Sequence, residues 1–75
     1  MTRAFVLIRC EIDAVLSTIE AMEDVAAVRH VDPVTGEYDV IAEVEVDEVE
    51  ELRDIVAGSI HDLFGVEETR TCIAT

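Results

Sequence analysis

The hydrophobic residues of this chain recur with two different periods, and together they predict six elements of secondary structure. Ala4 to Cys10 is an apolar run broken only by Arg9, which is typical of a central strand buried on both faces. From Tyr38 onward apolar and polar residues alternate, with Val40, Ala42, Val44 and Val46 on one face and Ile41, Glu43 and Glu45 on the other. The segments Val25 to Val31 and Val66 to Ala74 predict two further strands, the former alternating only loosely.

Two segments repeat their apolar residues every three or four positions, which predicts amphipathic helices. We expect the first to begin at Asp13 as N-cap and to end at Glu23 and Asp24, with an apolar stripe opposite Ser17, Thr18 and Glu20 that comprises Val15, Leu16, Ile19 and Met22. Asp47 and Glu50 have the spacing of a capping box at the start of the second, which Gly65 ends. Its apolar positions are Val49, Leu52, Ile55, Val56, Ile60 and Leu63, and Gly58 lies among them.

The order of these elements predicts the fold. The only proline and the first glycine fall within residues 32–36, which predicts a turn between the second and third strands. The resulting β-α-β-β-α-β order, with right-handed crossovers, predicts a ferredoxin-like α+β sandwich of the dimeric α/β-barrel type, formed by one domain over residues 1–75. In that fold both helices cover one face of a four-stranded antiparallel sheet.

The other face of such a sheet stays open. Either Phe5, Leu7 and Ile41 or the complementary pair Val6 and Ile8 must point to it. An apolar open face on a chain of 75 residues would promote aggregation. We therefore expect a homodimer in which two sheets pack face to face.

The charge balance excludes several kinds of partner. The chain has 18 Asp and Glu against five Arg and no Lys, a net charge of −13. This excludes direct nucleic-acid binding by the chain alone and argues against docking on anionic membranes. Two explanations stay open for the acidity: a saline, halophilic cytoplasm, which we favour, or a basic partner protein. The short N-terminal apolar run predicts neither a signal peptide nor a membrane span, so we expect a cytoplasmic protein.

Residues that could carry catalysis or bind metal are few. Ser17 and Ser59 lack the glycine-rich turn of an activated nucleophile, and His30 with Asp32 offers only two metal ligands. We therefore expect no catalytic residues, no metal and no cofactor, and we interpret His61 as structural. The acidic run is interpreted as a solvated face and comprises Glu43, Glu45, Asp47, Glu48, Glu50 and Glu51. The predicted fold places the two cysteines at opposite ends of neighbouring strands, so we expect both to be reduced packing residues, Cys10 and Cys72.

The segment Val34 to Val40 is the most distinctive stretch of the sequence. Gly36 allows a positive φ that leaves backbone amides accessible, and an exposed amide can hold a carboxylate. Tyr38 adds a ring with a hydroxyl, and Asp39 adds a carboxylate that can pair with an ammonium group. An amino-acid site and a simple turn in which Asp39 binds loop amides both fit these residues.

The same segment carries a family resemblance. Gly36-Glu37-Tyr38-Asp39, followed by Asp47, resembles the Gly-x-Tyr-Asp…Asp signature of the RAM domain, the ligand-binding domain of Lrp/AsnC transcriptional regulators. The likeness extends over nearly the whole chain, from residue 3, and includes the opening apolar strand, the second helix and the closing strand. No helix-turn-helix precedes it in this sequence, which makes the chain similar to a stand-alone member.

The resemblance implies a non-enzymatic regulatory module. In the family, domains dimerise through their sheets, dimers associate into octameric or decameric rings, and amino-acid effectors bind between dimers. Carried over, this implicates Thr35, Gly36, Glu37, Tyr38 and Asp39 in ligand binding. Full-length Lrp/AsnC relatives are further expected partners. The segment 26–33 is longer than is usual in the family, so the resemblance does not identify the ligand.

Two alternatives from other classes remain beside this hypothesis. Dimeric α+β-barrel proteins include small monooxygenase-like enzymes, which need an aromatic pocket. This chain has only Phe5, Tyr38 and Phe64 and no Trp, which disfavours such an enzyme. The other alternative is a purely structural oligomerisation module.

Overall fold

Strands and helices alternate along the chain in the order that the hydrophobic pattern predicts. The computed structural model describes residues 1–75. Its elements are β1 (Thr2–Cys10), α1 (Val15–Glu23), β2 (Val28–Pro33), β3 (Val40–Val46), α2 (Val49–Asp54) and β4 (Val66–Ile73). A 3-10 turn over Ile12–Ala14 leads into α1, and a π-helical segment over Ile55–Ile60 continues α2. Neither helix combines the length and the apolar character that crossing a bilayer requires.

The four strands form one antiparallel sheet in the order β2-β3-β1-β4. The central strand β1 pairs with β3 on one side and with β4 on the other, so that Phe5 lies opposite both Glu43 and Cys72. This topology confirms the predicted ferredoxin-like arrangement.

The hydrophobic core lies between the sheet and the helices. Alternate residues of β1 and β3 point into it and are fully buried: Ala4, Val6, Ile8, Val40, Ala42 and Val44. Met22 of α1, Leu52 of α2 and Ile60 of the π-helical segment cover them. The strict alternation of β3 is therefore confirmed, and it begins at Val40 rather than at Tyr38.

The structure selects the first of the two sets proposed for the open face. Phe5, Leu7 and Ile41 are only partly buried because no helix covers their side of the sheet, whereas Val6 and Ile8 face the core. The prediction that β1 is buried on both faces is therefore wrong for the single chain.

The buried stripe of α1 keeps three of the four predicted residues, since Met22 is buried and Val15 and Ile19 pack against the core. Leu16 is 71% exposed, whereas Thr18, which we placed on the polar side, is 1% exposed. The reason is the regular helix itself: at about 100° per residue, position 18 falls next to the buried position 22, and position 16 falls on the opposite side from position 18. Asp13 lies within the preceding 3-10 turn and caps nothing, so its assignment as N-cap was also wrong.

The second helix is shorter and wider than predicted. The expected capping box is not formed: the N-cap position is Glu48, and no side chain caps the helix. After Asp54 the backbone widens, and the N–H of His61 donates to the carbonyl of Val56 at 2.8 Å, an i to i−5 bond. The predicted regular helix up to Gly65 was therefore wrong beyond the first six residues.

The strand β2 lies three residues further along the chain than predicted, and it includes Asp32 and Pro33 of the expected turn. Proline is tolerated there because β2 is an edge strand, where a missing N–H costs no ladder bond. Both cysteines are free, as predicted. Only Cys10 is a buried packing residue, however, because Cys72 lies exposed on the other edge strand.

Gly65 lies where the turn before β4 passes close to Ala14 at the start of α1. Its φ is +86°, and a Cβ at this position would overlap the Cβ of Ala14. Its carbonyl accepts a hydrogen bond from the N–H of Glu11 at 2.9 Å. The chain can therefore pass from the π-helical segment into β4 only if this residue has no side chain.

We predict that Gly65→Ala lowers the free energy of unfolding by about 2–4 kcal/mol, through the positive φ and the overlap with Ala14. The matched control is Gly58→Ala, where a Cβ meets nothing within 4 Å. This control should raise stability by up to about 1 kcal/mol, since glycine is a poor helix former. Urea unfolding of both variants measures the difference. Equal stabilities of the two would contradict this account of Gly65.

Candidate functional site

The five residues predicted to bind ligand lie together in the loop that joins β2 to β3. Two backbone hydrogen bonds hold the base of this loop. The N–H of Val34 donates to the carbonyl of Asp39, and the N–H of Asp39 donates to the carbonyl of Ile8, each at 2.9 Å. The loop is therefore attached to the end of the central strand.

The side chain of Asp39 makes a second link to β1. Its Oδ2 accepts a hydrogen bond from the backbone N–H of Cys10 at 3.0 Å. This bond corresponds to the interpretation in which Asp39 satisfies an amide of the protein, although the amide belongs to β1 and not to the loop. The other oxygen, Oδ1, forms no hydrogen bond within the chain and stays available to a ligand.

The apex of the loop presents unused backbone donors. Thr35, Gly36 and Glu37 are exposed, and Gly36 has a φ of +144° with nothing within 4 Å of its Cβ position. The backbone N–H groups of residues 35–38 donate no hydrogen bond within the chain. Free backbone N–H groups are hydrogen-bond donors that can bind a carboxylate. Tyr38, which follows the apex, is half-buried.

This loop forms only one wall of a site. The largest groove of the chain, about 320 Å³, lies elsewhere, between α2 and β4. Of the two smaller depressions, one lies at the start of β2 and the other between α1 and the turn that precedes β4. Because none of the five loop residues lines a cavity, a ligand at the loop would need a second surface to enclose it.

A small polar cluster behind the loop was missed in the sequence. The thiol of Cys10 lies next to the loop anchor, and burial raises its pKa; the neighbouring carboxylates Asp39 and Glu67 raise it further. The hydroxyl of Thr18 lies close to the Cys10 thiol and partly lowers the pKa of that thiol. The same hydroxyl is buried and has no hydrogen-bond partner that meets the usual distance and angle limits. Thr18 was missed because it was placed on the polar side of α1, although the helical spacing of the apolar residues puts it among the buried positions, beside Met22.

The charged residues of the sheet lie mostly in ion pairs. Arg3 contacts Glu43 at 3.9 Å and Arg29 contacts Glu45 at 3.4 Å, both on the open face. These two glutamates are therefore partly buried members of the sheet, and their assignment to a solvated acidic face was wrong. The other four members of that run are exposed. No group of three or more His, Cys, Asp or Glu side chains is placed to hold a metal ion.

Comparison with known proteins identifies similar chains. The model of the Lrp/AsnC ligand binding domain matches residues 3–75. Two curated relatives are described as uncharacterized HTH-type transcriptional regulators, one from Pyrococcus horikoshii at 34% identity and one from Pyrococcus furiosus at 36%. Each match covers 97% of this chain and 51% of the relative, so the chain spans about half the length of these proteins.

Solved structures share the fold over the whole chain. The crystal structure of TTHA0845 from Thermus thermophilus is 44% identical with a TM-score of 0.96, and the match covers 100% of this chain and 94% of that one. A transcriptional regulator of Neisseria meningitidis, crystallised as a complex with L-Met, is 16% identical with a TM-score of 0.89. That match covers 99% of this chain and 49% of the regulator, and at this identity it shows the fold alone.

We predict that Asp39→Ala releases the loop from β1, because it leaves the N–H of Cys10 without an acceptor. The free energy of unfolding should fall by about 1–2 kcal/mol, and the Cys10 amide should exchange its hydrogen faster. Asp39→Asn is the matched control, since its side-chain carbonyl can still accept the bond and should keep that amide protected. Hydrogen exchange followed by NMR measures both. Unchanged Cys10 protection in Asp39→Ala would contradict the anchoring role.

Proposed function

Because the chain belongs to the Lrp/AsnC ligand-binding domain family, we propose that it is a regulatory module that binds an amino acid at the β2–β3 loop and oligomerises. The observation that carries this proposal is the loop itself. It is held at its base by β1, while the four amides of residues 35–38 and one oxygen of Asp39 remain unused.

The loop offers complementary groups for both charges of an amino acid. The α-carboxylate would accept hydrogen bonds from the free amides around Gly36, and the α-ammonium would pair with Asp39 Oδ1 or with the exposed carboxylate of Glu37. Tyr38 would contact the aliphatic part of the ligand. Support for an amino acid also comes from the Neisseria meningitidis regulator of the same fold, which was crystallised with L-Met.

A second chain would complete this site. The loop forms one wall only, so binding with useful affinity requires a further surface to exclude water. The open sheet face offers the first contact between copies, because Phe5, Leu7 and Ile41 form an apolar stripe there. Ion pairs between Arg3 and Glu43 and between Arg29 and Glu45 flank the stripe, so that two faces can meet with fewer unpaired charges. A ring of such dimers, octameric or decameric, would place loops of neighbouring dimers near one another.

Regulation would act through other proteins. The relatives are transcriptional regulators, which favours a regulatory role over an enzymatic one. A net charge of −13 disfavours direct contact with DNA phosphates, so this chain would influence transcription by assembling with full-length Lrp/AsnC relatives. Ligand binding would then change the stability of that mixed assembly.

We predict that at least one of the twenty amino acids raises the melting temperature of the protein in about molar salt, which screens the acidic surface. A ligand at about one hundred times its Kd adds about 2.7 kcal/mol, a rise on the order of 10 °C for a domain of this size. Asp39→Asn should reduce the shift, since it keeps the anchor to Cys10 and removes one of the two carboxylates that can pair with the ammonium. Asp54→Asn, which removes an exposed carboxylate on α2, should retain it. No shift with any amino acid would contradict the proposed ligand class.

We further predict that the protein is a dimer or a larger assembly in solution and that Leu7→Glu makes it an 8.3 kDa monomer. The added carboxylate would have to be buried between the sheets, at a cost of several kcal/mol. Val49→Glu introduces the same charge at an exposed site on α2 and should leave the mass unchanged. Size-exclusion chromatography with light scattering distinguishes them. A monomeric wild type in high salt would contradict dimerisation through the sheet.

A further inference from the structure

Three large hydrophobic side chains are exposed at one end of the helical layer, and none of them belongs to the β2–β3 loop. Ile12 is 93% exposed, Leu16 71% and Phe64 85%. We call them the Phe64 patch. Single exposed hydrophobic side chains are ordinary on protein surfaces. Several large hydrophobic side chains exposed close together are instead typical of an interaction surface.

Backbone contacts bring the two parts of this patch together. Ile12 begins the 3-10 turn and Leu16 lies in the first turn of α1, and both are exposed. Phe64 precedes Gly65, whose carbonyl accepts a hydrogen bond from the N–H of Glu11 and where an added Cβ would overlap that of Ala14. Leu63 and Phe64 also line a depression of about 170 Å³ together with Ser17 and Thr18. Phe64 therefore lies at the rim of a shallow groove, next to the start of α1.

The charges around the patch all have one sign. No Lys or Arg occurs from residue 10 to 28 or from 54 to 69, whereas these segments contain nine Asp and Glu residues. Glu11 and Asp13 directly flank Ile12 in the sequence, Asp62 lies two residues before Phe64, and all three are exposed. Arg9, the nearest arginine before it, pairs with Glu68 at 2.8 Å and Glu67 at 3.7 Å on the sheet side.

We propose that the Phe64 patch is a docking surface for a basic amphipathic helix of a partner protein. The apolar face of such a helix, with anchors at i, i+3, i+4 and i+7, would cover Ile12, Leu16 and Phe64 and insert into the groove beside them. Its lysines or arginines would lie opposite the carboxylates at the rim. A second copy of this chain fits less well, because it would bring the same acidic rim against itself.

The surface is distinct from the open sheet face, because it lies on the helical layer on the other side of the sheet. It lies at the same end of the domain as the β2–β3 loop, whose Asp39 binds the N–H of Cys10, two residues before Ile12. None of its three side chains belongs to that loop, so truncating them should leave the sheet-mediated dimer and the loop residues intact, and the amino-acid thermal shift of each variant is measured as a separate readout.

The test uses two synthetic peptides of about eighteen residues with identical Leu and Lys content. In one the leucines form an apolar helical face, and in the other the same residues are in scrambled order without such a face. Fluorescence anisotropy of the labelled peptides, titrated with the full chain at about 0.15 M and about 1 M salt, gives both affinities. We expect the amphipathic peptide to bind at least about tenfold more tightly than the scrambled one, and the difference to persist in high salt.

Two variants locate the binding. Phe64→Ser should weaken binding of the amphipathic peptide at least about tenfold. The reason is that burying one aromatic side chain contributes more binding free energy than a tenfold change in Kd requires. Leu16→Ser provides a second, independent truncation on the other helical segment. Val49→Ser removes an exposed apolar side chain at the far end of α2 and should change nothing.

Either of two results would overturn the proposal. Equal binding of both peptides, unaffected by Phe64→Ser, would show simple attraction between opposite net charges. A change in assembly mass on Phe64→Ser without peptide, measured by light scattering, would show that a second copy occupies the patch.

Discussion

The sheet of this domain has two faces, and its two short helices can cover only one of them. This constraint follows from chain length, since one helix of nine residues and one of six with its π-helical extension cannot wrap both sides of four strands. The consequence is visible along β1, where Ala4, Val6 and Ile8 are fully buried while Phe5 and Leu7 alternate with them on the open side. Apolar side chains that a larger domain would bury within itself are here left only partly buried.

The sequence predicted well those features that depend on a period of two residues. In β3 the alternation from Val40 to Val46 predicted which residues share a face, whereas the structure decided which of the two faces the helices cover. The helices were predicted less well, because their buried side depends on phase. In α1 the regular helical spacing buries Thr18 and exposes Leu16, although Leu16 is the more hydrophobic of the two. The π-helical segment after α2 shifts the phase of the residues that follow and leaves no sequence signal.

The candidate site shows the same limit. The Gly-x-Tyr-Asp segment brought attention to residues 35–39, and all five lie in one loop. The partner of Asp39 could not be predicted, however, since the bond to the N–H of Cys10 depends on how the loop packs against the end of β1, 29 positions away in the sequence. Thr18 and Cys10 lie behind the anchor, and their proximity to each other and to Asp39 is defined only by the tertiary structure.

The sheet and the helical layer differ in charge. Four of the five arginines lie on strands, and three of these pair with glutamates of the sheet, whereas the helical layer is almost entirely acidic. The strand β1 carries both the open-face residues Phe5 and Leu7 and the two backbone groups, Ile8 O and Cys10 N, that hold the loop. In the proposed dimer, a contact that orders this strand would therefore also order the loop, and a ligand that tightens the proposed site would return the same free energy to the interface. Coupling between ligand and assembly would then require no distant pathway, because a single strand would carry both contacts.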